Sequence, residues 1–115
     1  LNASTGIFMQ FSINADHPAL SGHFPGNPIV PGVVMLDHIL AAVTAAFPAY
    51  QINGVRKIKY LRALLPDQTC EVQFGAIQLS EMRDWRLRFV CLQAGERIAE
   101  GNILLKDNLL LETSV

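Results

Sequence analysis

The chain has 115 residues, enough for a single domain spanning residues 1–115 around one core, with little stability to spare. Half of the residues are hydrophobic, 17% are charged and the net charge is −1, which excludes a non-specific nucleic-acid binder. So apolar a small chain is expected to cover part of its surface with a second subunit.

The chain opens on Leu1 rather than Met, so residues are expected to have been trimmed ahead of it, and LNASTGIFMQF lacks the basic region and long apolar stretch of a signal peptide. Residues 6–14, GIFMQFSIN, set Ile7, Met9, Phe11 and Ile13 against Phe8, Gln10, Ser12 and Asn14, the alternation of a strand with one apolar face. A loop rich in proline and glycine runs from Asp16 to Pro31. Pro31-Gly32 then opens a helix, because proline is tolerated in a first turn where its missing N–H has no partner to lose. The helix continues through Val33–Ala46 and stops before Pro48.

Val, Leu, Ile and Ala cover most of that helix, so burial on most of its sides is expected. Its apolar run is shorter than a membrane span needs and is interrupted by Asp37 and His38. The second half reads as four strands: 52–64, 69–79, 85–93 and 96–106, with turns at LLPDQ, SEMRD and Gly95. Short turns between successive strands predict an antiparallel meander. The fold class is therefore α+β: one long buried central helix wrapped by an antiparallel sheet of about five strands. A single sheet leaves one side of such a helix open, and dimerisation would close it. Cys70 and Cys91 show no metal-ligand spacing and suit a reducing cytoplasm.

One stretch is more specific. HFPGNPIVPGVVMLD, from His23 to Asp37, resembles the signature of β-hydroxyacyl-acyl-carrier-protein dehydratases, in which HFP-x-x-P-x-x-PG is followed by an acidic residue. The match holds at His23, Phe24, Pro25, Pro28, Pro31, Gly32 and Asp37, and aspartate at the acidic position resembles the unsaturated-fatty-acid and aryl-polyene branches. Farther on, IKYLRALLPDQT (58–69) is similar to the segment K-F-x-R-x-x-x-P-G-D, with the turn glycine absent. The resemblance implies the hotdog fold and dehydration of a 3-hydroxyacyl thioester, carried on an acyl carrier protein, to the trans-2-enoyl product. It implies a homodimer, or a higher even oligomer, whose active sites take the histidine from one subunit and the acid from another. No cofactor, metal or membrane span is expected, and the pathway would be fatty-acid or polyene-type lipid synthesis.

The chemistry of the residues agrees. Removing water from a 3-hydroxyacyl thioester needs a base for the Cα proton, an acid for the departing hydroxyl and polarisation of the thioester carbonyl. His23 sits in a loop stiffened by Pro25, Pro28 and Pro31, which suits a pre-oriented base. Gly32 falls at the helix start, where unpaired N–H groups and the positive dipole end could hold the carbonyl oxygen. Asp37, further along an apolar helix, is expected to be kept protonated by burial and to donate to the leaving hydroxyl. Phe24, Pro31 and Val33 are the expected acyl-binding residues.

Two departures leave a second reading open. Ala41 stands where the family often has a glutamine one turn after the acid, and His38 directly after Asp37 is unusual. With a start that lacks the N-terminal helix and strand usual in that family, they motivate a non-catalytic hotdog partner subunit or acyl-binding protein; a thioesterase ranks third. His38 is expected to bond a backbone carbonyl or face solvent, and His17 to shape its loop. Arg56, Lys57, Lys59 and Arg62 form one candidate patch for an acidic carrier protein, and Arg83, Arg86 and Arg88 another.

Overall fold

A computed structural model of the protein describes residues 4–17, 30–79 and 85–107. Its elements in chain order are β1 (Ser4–Phe11), α1 (Gly32–Ala46), β2 (Tyr50–Tyr60), β3 (Cys70–Leu79), β4 (Trp85–Gln93) and β5 (Glu96–Asp107). The five strands form one antiparallel sheet in the order β1-β3-β4-β5-β2. The expected fold class, one helix against a five-stranded antiparallel sheet, is what the chain adopts.

The inner face of the sheet follows the alternation in the sequence. Val72 and Phe74 on β3, Leu87, Phe89 and Cys91 on β4, and Ile103 and Leu105 on β5 are fully buried. Against them α1 packs Val34, Met35, Ile39 and Val43, and Phe47 at its end meets Phe74 edge-on at 6.0 Å. Trp85 lies partly buried at the margin of this core, edge-on to Tyr50. Cys70 and Cys91 are free thiols within it.

Two expectations need correction. The meander covers only β3, β4 and β5, because β2 pairs with β5 at the far edge instead of with β3. The cause lies in residues 61–69, which are held away from the sheet edge by a series of hydrogen bonds. Leu61 N–H donates to Ile98 O at 2.8 Å, Val30 N–H donates to Leu64 O at 3.0 Å, and Asp67 N–H donates to Ile13 O at 2.7 Å. The connection thereby crosses from the β5 side of the sheet to the β1 side. Second, α1 is not buried on most sides within one subunit: Val33, Asp37, Ala41 and Ala45 lie on its exposed side. The sheet curls around one face of the helix only, so apolar composition all round did not produce burial all round.

Two turns show their chemistry. Ala94 (φ 53°) and Gly95 (φ 79°) make the two-residue hairpin between β4 and β5, in which both central residues take positive φ to match the twist of the strands. Asp67 takes φ 59° beside Pro66, so it supplies the left-handed residue for which the related segment uses glycine. Its Oδ1 also accepts the Ala15 N–H at 3.1 Å. β1 stops at Phe11 rather than at residue 14, as the Asn14 side chain accepts the Asp16 N–H and turns the chain, while Ile13 stays buried.

Candidate active site

The start of α1 is where Gly32 meets a cavity. Pro31 takes the N-cap position with extended backbone (φ −59°, ψ 143°), and its carbonyl accepts the N–H of Val34 at 3.0 Å and of Met35 at 3.3 Å. Among the described residues no side chain caps the helix, and its first turn holds no acidic residue. The helix N-terminus therefore keeps its partial positive charge open. The β-bridge between Val30 and Leu64 fixes this start against the segment after β2. Gln93 secures that segment from behind: its amide accepts the Leu65 N–H at 3.1 Å and donates to Leu65 O at 3.1 Å and Gln68 O at 3.4 Å.

Between these pieces lies a cavity of about 400 Å³. Val30, Gly32 and Met35 line one side, and Tyr60, Leu61, Arg62, Ala63 and Leu64 the other. It is mainly apolar, with a phenol and a guanidinium as its polar side chains. Tyr60 is the residue that sequence reasoning missed. A Cβ placed on Gly32 would lie 2.7 Å from Cζ and 3.0 Å from Oη of Tyr60, so the ring rests directly on the helix start. Burial, with a smaller contribution from Cys91, raises the Tyr60 phenol above its ordinary range, so it stays protonated at neutral pH. The signal was present in IKYLRALLPDQT, where tyrosine follows Lys59 and the related segment has phenylalanine.

Gly32 is the first residue of α1 and faces the cavity, and its contact with Tyr60 gives it a packing reason as well as an electrostatic one. Asp37 lies about 7.5 Å further along the helix axis, on the exposed side. The expectation of a carboxyl desolvated by its own subunit is thus corrected: the core side of α1 belongs to Val34, Met35, Ile39 and Val43. Val33 is 64% exposed and lies on the same open side, away from the lining of the cavity. His23 and Phe24 fall within residues 18–29, outside the described residues.

His38 behaves as expected. Its Nδ1 donates to the Val34 carbonyl at 3.0 Å, and its ring stacks on Phe11. The His17 N–H donates to Asn14 O at 2.9 Å within its turn. Of the two basic patches, Arg56, Lys57, Lys59 and Arg62 are all exposed, and Arg62 reaches the cavity while paired with Glu96 at 2.9 Å. Arg86 and Arg88 point from β4 to the sheet face opposite α1, where Glu100 holds Arg88 at 3.2 Å; Arg83 is outside the described residues. No helix among the described residues is long and apolar enough to cross a membrane.

Comparison with known proteins joins this geometry to a family. The family model described as ApeI-like, ApeI dehydratase, matches residues 2–102. A 3-hydroxyacyl-[acyl-carrier-protein] dehydratase FabZ of Myxococcus xanthus is 28% identical over 104 residues, covering 81% of this chain and 67% of its own length. The chain spans only 51% to 54% of three other FabZ relatives. Among solved structures, the dehydratase heterocomplex ApeI:P from Xenorhabdus doucetiae superposes with a TM-score of 0.68 at 21% identity, covering 85% of this chain and 84% of that one. The R-hydratase PhaJ1 from Pseudomonas aeruginosa gives 0.69 at 12% identity, covering 93% and 82%. Both share the hotdog fold found here. The match over most of the length settles the affiliation: the chain belongs to the ApeI-like dehydratase family.

Proposed function

We infer that this chain removes water from 3-hydroxyacyl thioesters held on an acyl carrier protein, giving trans-2-enoyl thioesters in fatty-acid or polyene-type lipid synthesis. The observation that carries the reading is the uncapped start of α1 at Gly32, open to an apolar cavity, on the helix that also bears Asp37. In this reading the imidazole of His23 takes the Cα proton. The electrons of that C–H bond form the new double bond, the Cβ–O bond breaks, and Asp37 delivers a proton so that hydroxide leaves as water. The Gly32 N–H holds the carbonyl oxygen while negative charge gathers on it. Afterwards His23 carries one proton more and Asp37 one fewer, and exchange with solvent restores both. Phe24, Pro31 and Val33 contact the acyl chain.

The active unit is a homodimer or a higher even oligomer, each site taking His23 from one copy and Asp37 from the other. The uncovered side of α1 supports this: Val33, Ala41 and Ala45 form an apolar surface around Asp37. A second copy laid on that side would take Asp37 out of water, the condition under which a carboxyl keeps its proton and can donate it. The carrier protein docks by the patch that includes Arg62, since Arg62 stands at the cavity while Arg86 and Arg88 are on the opposite face of the sheet. The reading puts the enzyme in the reducing cytoplasm, which two free buried thiols support.

Purified protein incubated with a 3-hydroxyacyl carrier protein should lose one water from the acyl group by intact mass, and His23→Ala and Asp37→Asn should each abolish that loss. A second reading, a non-catalytic half of a heteromer, draws on Ala41 in place of the family's glutamine and on the X. doucetiae neighbour being a heterocomplex. Turnover by the chain alone would overturn it; release of free carrier thiol would point to a thioesterase.

A further inference from the structure

We propose that the Tyr60 hydroxyl is a second hydrogen-bond donor to the thioester carbonyl oxygen, working beside the Gly32 N–H; the inference rests on the dehydratase reading above. The phenol occupies the space a Gly32 side chain would fill, its oxygen 3.0 Å from the position of that missing Cβ. In the proposal, an oxygen atom accepting the Gly32 N–H at the ordinary separation of about 2.9 Å also accepts the phenol O–H. Tyr60 and Gly32 line the same cavity, and Tyr60 is 51% exposed, so a ligand can approach its hydroxyl. Among the described residues no other group takes the phenolic proton.

The environment keeps that donor in its useful form. Burial raises the phenol above its ordinary range, so it holds its proton through neutral and mildly alkaline pH. A neutral donor in an apolar cavity stabilises an oxyanion more than a neutral carbonyl, because the interaction strengthens as charge develops. It therefore acts on kcat more than on KM. The segment that IKYLRALLPDQT resembles carries phenylalanine at this position, so the hydroxyl is an addition made by this chain to a ring that the fold already accommodates.

Tyr60→Phe removes only the oxygen. With 3-hydroxyacyl carrier protein as substrate, kcat should fall at least about tenfold while KM stays within about twofold and the melting temperature is unchanged. Wild-type kcat should also decline on an alkaline limb that lies above the ordinary tyrosine range and that Tyr60→Phe lacks. Equal kcat in the two proteins would overturn the proposal. The isotope-edited infrared spectrum of a bound acyl thioester supplies a readout that needs no turnover. The carbonyl stretch should lie at lower frequency in the wild type than in Tyr60→Phe. An identical frequency in both defeats the role of Tyr60, whereas a frequency difference without enoyl product defeats the dehydratase reading and leaves the role of Tyr60 standing.

Discussion

His38 lies flat against Phe11, ring centroids 5.0 Å apart and planes inclined by 25°, while its Nδ1 donates to the Val34 carbonyl one helical turn back. The stacking ties α1 to β1 and the hydrogen bond fixes the ring on its own helix, which leaves the residue next to Asp37 with a structural task. His38→Ala should cost about 1–2 kcal/mol of stability, from one stacked pair and one hydrogen bond, measured by urea denaturation. Turnover per folded molecule should change little. Loss of turnover with stability intact would make His38 part of the chemistry.

Gly32→Ala separates packing from propensity. Alanine is the better helix former, yet its Cβ would come within 2.7 Å of the Tyr60 ring. The half-exposed ring must swing aside, at a cost of about 1 kcal/mol, so the urea midpoint should fall. In Gly32→Ala/Tyr60→Ala the midpoint should recover, since the ring is gone, while turnover stays low. A single Gly32→Ala variant as stable as wild type would refute the contact.

Ala94 is held at φ 53° in the β4–β5 hairpin, a region that a Cβ makes costly by about 1–2 kcal/mol. Asparagine followed by Gly95 is the preferred pair for such a turn. Ala94→Asn should therefore raise stability by about 1 kcal/mol, a gain of a few degrees in melting temperature by calorimetry. A lower melting temperature would mean that the turn differs from the one described.

Arg62 stands at the mouth of the cavity, exposed and joined to Glu96 by a surface ion pair of little energetic weight. Arg62→Glu should leave folding intact and raise KM for a carrier-bound substrate about tenfold, with no change for the same acyl group on a short pantetheine mimic. Arg88→Glu, on the opposite sheet face, should leave both KM values alone. The reverse pattern would move the docking surface to that face.

The sequence made the elements legible, because proline marks both ends of α1 and most strands follow a local alternation of side-chain polarity. Strand order was less so. Nothing in the composition of residues 61–69 announces that Leu61, Leu64 and Asp67 bond to three separate parts of the chain and carry it across the sheet. The exposure of Asp37 was also hidden: apolar residues surround it in sequence, but burial depends on which face of α1 the sheet reaches. Gly32 was legible as a helix start, whereas its contact with Tyr60 depends on β2 ending beside that start, a relationship across twenty-eight positions of sequence.

The composite site is tested most directly by mixing two inactive proteins. His23→Ala and Asp37→Asn, denatured together in equal amounts and refolded, would share subunits at random. Each mixed dimer then holds one site with an intact His23 facing an intact Asp37, and turnover should return to about a quarter of the wild-type value per chain. A mixture no more active than its two parents, although mass spectrometry shows mixed dimers, would contradict a site shared between subunits.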